Sequence, residues 1–359
     1  MYVDSVKLNN FRNYADKKVS FTDGLNAIVG KNATGKTNLL ESVYICGLGN
    51  SARVSRDKDC IRWGCDGAYI GLKLVKKYRS HTIDIYIDAR EKKRIAIDGI
   101  PISRISQLIG VMNVVFFSPD EMKLVKDAPQ ERRRFADISL SQQSANYLYA
   151  LSRYNAVLLR RNKLLKSLPA GEKLQQSLQV WDTQMAAEGA KLIAARYDFV
   201  DKLKTFALER HLKLTAGAEK LELSYESGIE RGDIKDIETE LISKLAKSYE
   251  KDAYLQYTTI GPHRDDIKIS VDGIDVRKYG SQGQQRTAAL SLKLSEISLF
   301  THETGETPIL LLDDVLSELD KDRRNMLLTE TSKLQTIITC TEYEESPAAN
   351  VISTAKAEN

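Results

Sequence analysis

Residues 30–37 read Gly30-Lys31-Asn32-Ala33-Thr34-Gly35-Lys36-Thr37. This is a complete G-x-x-x-x-G-K-[ST] phosphate loop, and nothing else in the chain constrains the fold as tightly. Such a loop needs a strand before it and a helix after it. The apolar run Leu25–Val29 supplies the first and Asn38–Ile45 the second. Glycines let backbone N–H groups close around phosphate oxygens, and the helix N-terminus adds partial positive charge. Lys36 suits the β- and γ-phosphates, and the Thr37 hydroxyl suits Mg²⁺. The bland alternative is a chance glycine-rich turn, and the flanking strand and helix argue against it. The expected ligand is a nucleoside triphosphate.

The 359 residues are enough for about two domains. Hydrophobic residues at 42% and charged residues at 28% describe a soluble globular chain. No apolar run approaches the ~20 residues of a membrane span. The start, Met1-Tyr2-Val3-Asp4, lacks a signal-peptide pattern. Cys46, Cys60, Cys65 and Cys340 have no zinc-site spacing, and a chain this long needs no disulfide scaffold. A cytoplasmic, reducing location is expected, with no membrane partner. The net charge of +4 permits a nucleic-acid partner without demanding one. The four histidines are too scattered to suggest a metal cluster.

Periodicity divides the chain. Val3–Leu8, Lys17–Phe21, Ala68–Lys76, Thr82–Ala89 and Arg94–Ile97 read as strands, the last three alternating like half-exposed antiparallel ones. Asp98-Gly99 is a turn signal, and Met112–Phe117 reads as a buried strand. From about Leu140 to His211 the pattern is helical, broken at Pro169–Gly171. Leu174, Leu178, Trp181, Met185, Leu192, Ala195, Phe199 and Phe206 follow a 3.5-residue repeat, with Glu188 and Lys202 at the skipped positions. Two long helices should pair antiparallel across the break; the second would span about 57 Å. Strand-type sequence returns at Ile267–Val271 and Ile309–Leu312. The expected fold is α/β: a split phosphate-loop mononucleotide fold with an antiparallel β subdomain (residues 1–120 and 256–359) and an inserted helical subdomain (121–255). The last dozen residues are small and polar, which suggests mobility.

Three further motifs narrow the chemistry. Ile309–Leu312 runs into Asp313-Asp314. A phosphate-loop enzyme needs an acid there for the Mg²⁺ shell, which Asp313 fits. Asp314 stands where a second carboxylate orients or deprotonates the attacking water. Ser281-Gln282-Gly283-Gln284-Gln285-Arg286 precedes a helix. Alone it reads as a serine cap. Behind the other two motifs it resembles the Leu-Ser-Gly-Gly-Gln clamp of ABC-type ATPases, which acts on the nucleotide of the other protomer. Ser317-Glu318-Leu319-Asp320 resembles the D-loop of the same superfamily.

Taken together, the chain resembles the RecF family of bacterial recombination and gap-repair ATPases over nearly its whole length. The resemblance is carried by Asn10-Phe11-Arg12-Asn13-Tyr14, by the phosphate loop running into Asn38-Leu39-Leu40-Glu41, and by Phe117-Ser118-Pro119-Asp120 with Arg132-Arg133-Arg134-Phe135. Gly261-Pro262-His263-Arg264-Asp265-Asp266 and the Ser281 string complete it. It implies an ABC-type head like those of SMC and Rad50 proteins, without their long coiled coil. It implies ATP and Mg²⁺ as cofactors, an ATP-dependent homodimer, weak DNA-stimulated hydrolysis, and binding to gapped or single-strand/duplex DNA. It also implies partnership with RecR and RecO in loading RecA, and a link to replication restart and the SOS response. Carried over by residue, Lys36, Asp313 and Asp314 are catalytic. Gly30, Lys31, Asn32, Ala33, Thr34, Gly35, Lys36 and Thr37 hold phosphate, Thr37 and Asp313 hold the metal, and Arg12 lies near base and ribose. Ser281, Gly283 and Gln284 form the clamp. Aspartate at 314 is one methylene shorter than the usual glutamate, so slow hydrolysis is expected. No glutamine stands at Phe117–Asp120 for a Q-loop role, and residues 336–341 lack the switch histidine of transporters. An SMC/Rad50-type head acting with a nuclease is the alternative, and the short helical insert argues against it.

DNA is held chiefly through phosphates by Lys and Arg. Candidates are Arg53, Arg56 and Lys58, the run Arg132, Arg133 and Arg134, and Arg160, Arg161 and Lys163. Each cluster also reads as a solvated face or as partners for nearby acids. The His263–Asp266 string reads as an anchor for the turn before Ile267 by salt bridges.

Overall fold

A computed structural model describes residues 1–341 and 349–354, apart from the side chains of Asp120, Glu121, Glu318 and Asp322. The chain forms two compact units, Met1–Glu121 with Glu296–Asn359, and Met122–Ser295. The first begins with β1 (Tyr2–Phe11), β2 (Tyr14–Ser20), β3 (Leu25–Val29) and α1 (Lys36–Leu48). β4 (Gly67–Val75), β5 (Ser80–Asp88), β6 (Arg94–Ile97), β7 (Ile100–Ile102) and β8 (Val114–Phe117) follow. The second unit holds α2 (Lys123–Lys126), α3 (Pro129–Gln143), α4 (Ala145–Ser167), α5 (Glu172–Leu214) and β9 (Leu221–Glu226). It continues with α6 (Ile234–Lys247), α7 (Tyr249–Leu255), β10 (Asp266–Val271), β11 (Ile274–Asp275) and α8 (Val276–Tyr279). α9 (Gln282–Thr304) begins in the second unit and ends in the first. β12 (Ile309–Asp313), α10 (Lys321–Glu330), β13 (Thr336–Cys340) and β14 (Asn350–Ser353) complete the chain.

The first unit has a five-stranded parallel sheet in the order β14-β3-β13-β12-β8. Parallel strands bury both faces, so they read as unbroken apolar runs. Leu310, Leu311 and Leu312 are accordingly all buried. Because every strand points the same way, the carboxyl ends of β3 and β12 lie at one edge, where open α/β sheets place ligands. Its second sheet is antiparallel, in the order β2-β1-β4-β5-β6-β7. There the core alternates: Ile70 faces Ile85 and Leu72 faces Ile83 across β4 and β5, all buried. Asp98 and Gly99 both have positive φ between paired Ile97 and Ile100, the geometry of a two-residue type I′ hairpin.

One part of this unit departs from the sequence expectation. The tail is not all mobile sequence: Asn350–Ser353 pair in parallel with Asn26–Val29 at the sheet edge. Only Val351 and Ile352 are large apolar residues there, so neither an alternating pattern nor an apolar run marks the strand. Residues 355–359 lie outside the described residues.

In the second unit α4 and α5 run antiparallel, as their partners show. Arg161 bonds Asp182 at 2.6 Å, Arg153 meets Glu188 at 3.1 Å, and Arg196 donates to the Tyr147 hydroxyl at 3.0 Å. Glu188 is buried between Arg153 and Lys191, whereas Lys202 is exposed. α5 also buries Ile193, Val200, Leu203 and Ala207, outside the 3.5-residue stripe. The helix is therefore covered on more than its α4 face. β10 pairs antiparallel with β9 and β11 and takes no place in the parallel sheet. Residues 256–295, β10 among them, fall in the second compact unit, and the units change at Ser295/Glu296, where the sequence reading placed the change at 256. Among the described residues no helix is long and apolar enough to cross a membrane.

Candidate nucleotide site

The phosphate loop joins β3 to α1, as the sequence motif requires. Gly35 caps α1 with φ 101°, and a Cβ there would lie 2.4 Å from Asn13 Nδ2, so only glycine fits. Three neighbours hold the loop. Asn13 Nδ2 donates to Thr34 O at 3.0 Å, and the Tyr14 hydroxyl donates to Gly35 O at 3.1 Å. Burial pushes the Tyr14 phenol up to about 12, so it stays a donor. The Thr34 and Thr354 hydroxyls meet at 2.7 Å, and Thr354 N donates to Val29 O at 3.0 Å. Lys36 Nζ donates to Gly30 O at 2.6 Å and Lys31 O at 3.1 Å, which keeps its ammonium over the loop.

At the end of β12, Asp313 Oδ1 accepts from Thr37 Oγ1 and from Thr339 Oγ1, each at 2.8 Å. Thr339 Oγ1 in turn accepts from Asp314 N at 2.9 Å. Asp314 has φ 54°, the left-handed region, so the chain turns sharply after the strand. A threonine hydroxyl and a carboxylate in contact are the hard oxygen donors that Mg²⁺ takes beside substrate phosphates. The donor set therefore fits that ion. Thr339, Asn13 and Thr354 were missed in the sequence. Asn13 lies in the Asn10–Tyr14 string and Thr339 in the 336–341 segment, where it is registered beside Asp313, whereas Thr354 had no signal.

Arg12 sits in the β1–β2 turn and makes a bidentate pair with Glu41 of α1, at 2.9 and 2.7 Å. Its Nη1 donates to Asp59 O at 2.8 Å. Three guanidinium donors are thus used in tying the Asn10–Tyr14 turn to α1 and to the segment before β4. The Asn10–Tyr14 and Asn38–Glu41 strings are thus joined through the Arg12–Glu41 pair.

In the second unit Ser281 and Gln284 cap α9 reciprocally. Gln284 N donates to Ser281 Oγ at 3.2 Å and Ser281 N to Gln284 Oε1 at 3.0 Å, a capping box. Gln284 Nε2 also donates to Glu219 Oε1 at 3.0 Å. Ser281, Gln282 and Gly283 are exposed at the N-terminus of this 23-residue helix. The helix-cap reading is realised, and the same exposed end has the amides an anion would need.

The Gly261–Asp266 string is a hub of buried bonds. His263 Nε2 lies 3.1 Å from Thr258 O, which can only accept, so this nitrogen carries the proton. Nδ1 then accepts from the Tyr154 hydroxyl at 2.7 Å. Asp265 accepts from Tyr225 and Ser227, and Arg196 donates to Pro262 O at 2.6 Å. The salt-bridge expectation holds at Asp266, which pairs bidentately with Arg132 at 2.6 and 2.9 Å.

That pairing corrects one DNA candidate. Arg132 is 3% exposed and also donates to Leu124 O and Asp127 O, so four of its five N–H groups are used inside the fold. Arg161 is a second correction: it is fully buried against Asp182, Asp252 and Thr258. Arg133 is half-buried with Nη1 on Asp265 O at 2.6 Å, and burial, then Arg196, lowers its pKa. Arg134, Lys58 and Lys163 are exposed. Arg53 donates to Asn38 Oδ1 at 3.1 Å, Arg56 pairs with Asp59 at 3.2 Å, and Arg160 lies over the Trp181 ring at 5.3 Å.

Comparison with known proteins gives one answer. The model of the RecF/RecN/SMC N terminal domain family matches residues 2–359. The chain is 46% identical to the DNA replication and repair protein RecF of Lachnoclostridium phytofermentans, covering 96% of this chain and 94% of that one. It is 47% identical to the protein of that name from Agathobacter rectalis, covering 96% and 93%. A solved structure of the recombination mediator protein RecF-ATPrS in the RecFOR pathway superposes with TM-score 0.91 at 34% identity, covering 98% and 97%. An SMC head bound to the C-winged helix domain of ScpA gives TM-score 0.56 at 17% identity over 95% and 90%, which is likeness of fold alone.

Proposed function

The chain belongs to the RecF family of DNA replication and repair proteins, and from that premise we propose an ATP-gated clamp that closes as a dimer on DNA. The family supplies a nucleotide-binding ATPase head and a general role in recombinational DNA repair. The observation that carries the finer reading is the contact of Thr37 with Asp313 beside the phosphate loop.

In this reading Gly30–Thr37 wrap the phosphates with backbone N–H groups, and Lys36 turns its ammonium from the Gly30 and Lys31 carbonyls to the β- and γ-phosphates. Thr37 and Asp313 hold Mg²⁺, which would offset phosphate charge. Asp314 is the general base for the attacking water. Its short side chain favours slow, weakly DNA-stimulated hydrolysis suited to a switch. Arg12 braces the site through Glu41 and faces base and ribose. The capped end of α9, with Ser281, Gly283 and Gln284, clamps the nucleotide of a second protomer. The γ-phosphate then glues two heads, and its loss releases them.

The DNA reading favours gapped or single-strand/duplex junctions, with Arg53, Arg56, Lys58, Arg133 and Arg134 as phosphate contacts. RecR and RecO are the partners, and RecA loading the outcome. The reading is tested by DNA retention with ATP. Wild type should hold a gapped duplex only with ATP, and Lys36→Ala should lose both nucleotide and ATP-dependent DNA binding. Equal DNA binding by Lys36→Ala with ATP would contradict it.

A further inference from the structure

Trp63 is 97% exposed, the largest apolar side chain on the surface of the described residues. It is held out rather than loosely exposed. Cys65 N donates to Arg62 O at 3.1 Å, closing a turn around Trp63 and Gly64, and Gly64 has φ 82°. That is the third position of a type II turn, where positive φ is required. Arg62 N donates to Asn10 O at 2.8 Å, and Ile61 bridges to Phe11, so the turn is pinned to the end of β1. The indole therefore stands on a braced tip.

The surroundings are cationic. Two tight turns precede the tip, closed by Asp59 N on Arg56 O and Ile61 N on Lys58 O. They leave Arg56, Lys58 and Arg62 exposed within seven residues of Trp63. Gly67 pairs with Asp88, and Ala89 N donates to Asp66 O at 2.9 Å, which brings exposed Arg90 and Lys92 to the same end of the β4–β5 ribbon. Of the acids among them, Asp57 is paired with Lys93 at 2.8 Å and Asp59 with Arg56 at 3.2 Å, while Asp66 and Glu91 are exposed, leaving the cations in excess.

We infer that Trp63 stacks on an unpaired DNA base while the surrounding cations hold the phosphates beside it. This rests on the DNA reading above and names the residue that makes a single-strand/duplex junction different from plain duplex. Phosphates are alike in both, so cations alone cannot tell them apart. Bases inside a duplex are covered on both faces, whereas an unpaired base offers a free face to an indole. A surface aromatic ringed by Lys and Arg matches that pair of demands.

The test uses the full chain with ATP. Trp181→Phe leaves Trp63 as the sole tryptophan of the two. Its fluorescence should be quenched by a gapped duplex with thymines in the gap. An intact duplex, or the same gap built from abasic sugars, should not quench it. Trp63→Ala should weaken binding to the gapped duplex by about tenfold, leaving affinity for intact duplex and for ATP unchanged. If Trp63→Ala binds gapped and intact duplex as wild type does, the stacking role is wrong and the DNA reading survives. If wild type binds no DNA, the DNA reading fails and takes this inference with it. Loss of ATP binding in Trp63→Ala would assign the indole to the nucleotide site. Loss only of a protein partner would make it a docking residue. Either result would overturn the inference.

Discussion

Thr37 donates its hydroxyl hydrogen to Asp313 Oδ1 across 2.8 Å, joining residues 276 positions apart. The parallel sheet makes this contact, because β3 and β12 both end at the edge where the phosphate loop begins. An amide at 313 would keep the shape and lose the charge a divalent ion needs. Asp313→Asn should reduce Mg²⁺-dependent ATP hydrolysis by about 10- to 100-fold and shift its Mg²⁺ dependence upward. Hydrolysis followed against Mg²⁺ concentration checks this. An unchanged Mg²⁺ curve would remove Asp313 from the metal site.

Asp314 separates binding from chemistry. Its backbone N–H is held by Thr339 while its side chain stands past the strand end. Asp314→Asn should bind ATP normally, hydrolyse it at least ~100-fold more slowly, and prolong the lifetime of the ATP-bound dimer. Turnover by wild type should stay below about one per second without DNA, a base one methylene short being a poor one. Wild-type turnover in Asp314→Asn would show that the base is elsewhere.

Arg161 and Asp252 are both fully buried and 2.7 Å apart. Removing one partner leaves a buried charge. Arg161→Met should cost about 3–5 kcal/mol in urea unfolding, whereas exposed Arg134→Ala should change stability by less than ~0.5 kcal/mol. DNA affinity should respond in the opposite order, falling for Arg134→Ala. A stability loss below about 1 kcal/mol for Arg161→Met would mean that its buried pair is not what holds α4 to α5 and α7.

Those arginines show what a sequence reveals and what it hides. β3, β12 and the phosphate loop were legible because apolar runs and glycine spacing act locally. The two long helices were legible because their stripe repeats. Arg161 looked like its neighbour Arg160 because its partner Asp252 lies 91 positions away. Arg132 looked like DNA-binding sequence because Asp266 lies 134 positions away. β10 read as a strand correctly, but periodicity names no pairing partner, and its partners are β9 and β11. Trp63 carried no signal, since exposure is set by a turn that only the fold closes.

His263 gives a pH prediction. Burial, chiefly, lowers its pKa from 6.5 to about 4, so the folded ring is neutral. The unfolded chain takes up a proton below about pH 6.5 that the folded chain refuses. The stabilisation is therefore complete above that pH and is lost as pH falls toward 4, by up to roughly 3 kcal/mol. His263→Gln removes the titration. Its unfolding free energy should differ less between pH 7 and about pH 4.5 than that of wild type. Parallel pH curves for the two proteins would contradict this.

The dimer is tested most directly by sedimentation velocity of wild type and Ser281→Arg, each with and without ATP and a gapped duplex. Wild type should sediment as a monomer alone, as a dimer with ATP, and as a heavier complex with ATP and DNA. Ser281→Arg should bind ATP yet stay monomeric, because the capped end of α9 can no longer approach a second protomer's phosphates. A Ser281→Arg protein that dimerises with ATP as wild type does would show that the nucleotide site is complete within one chain.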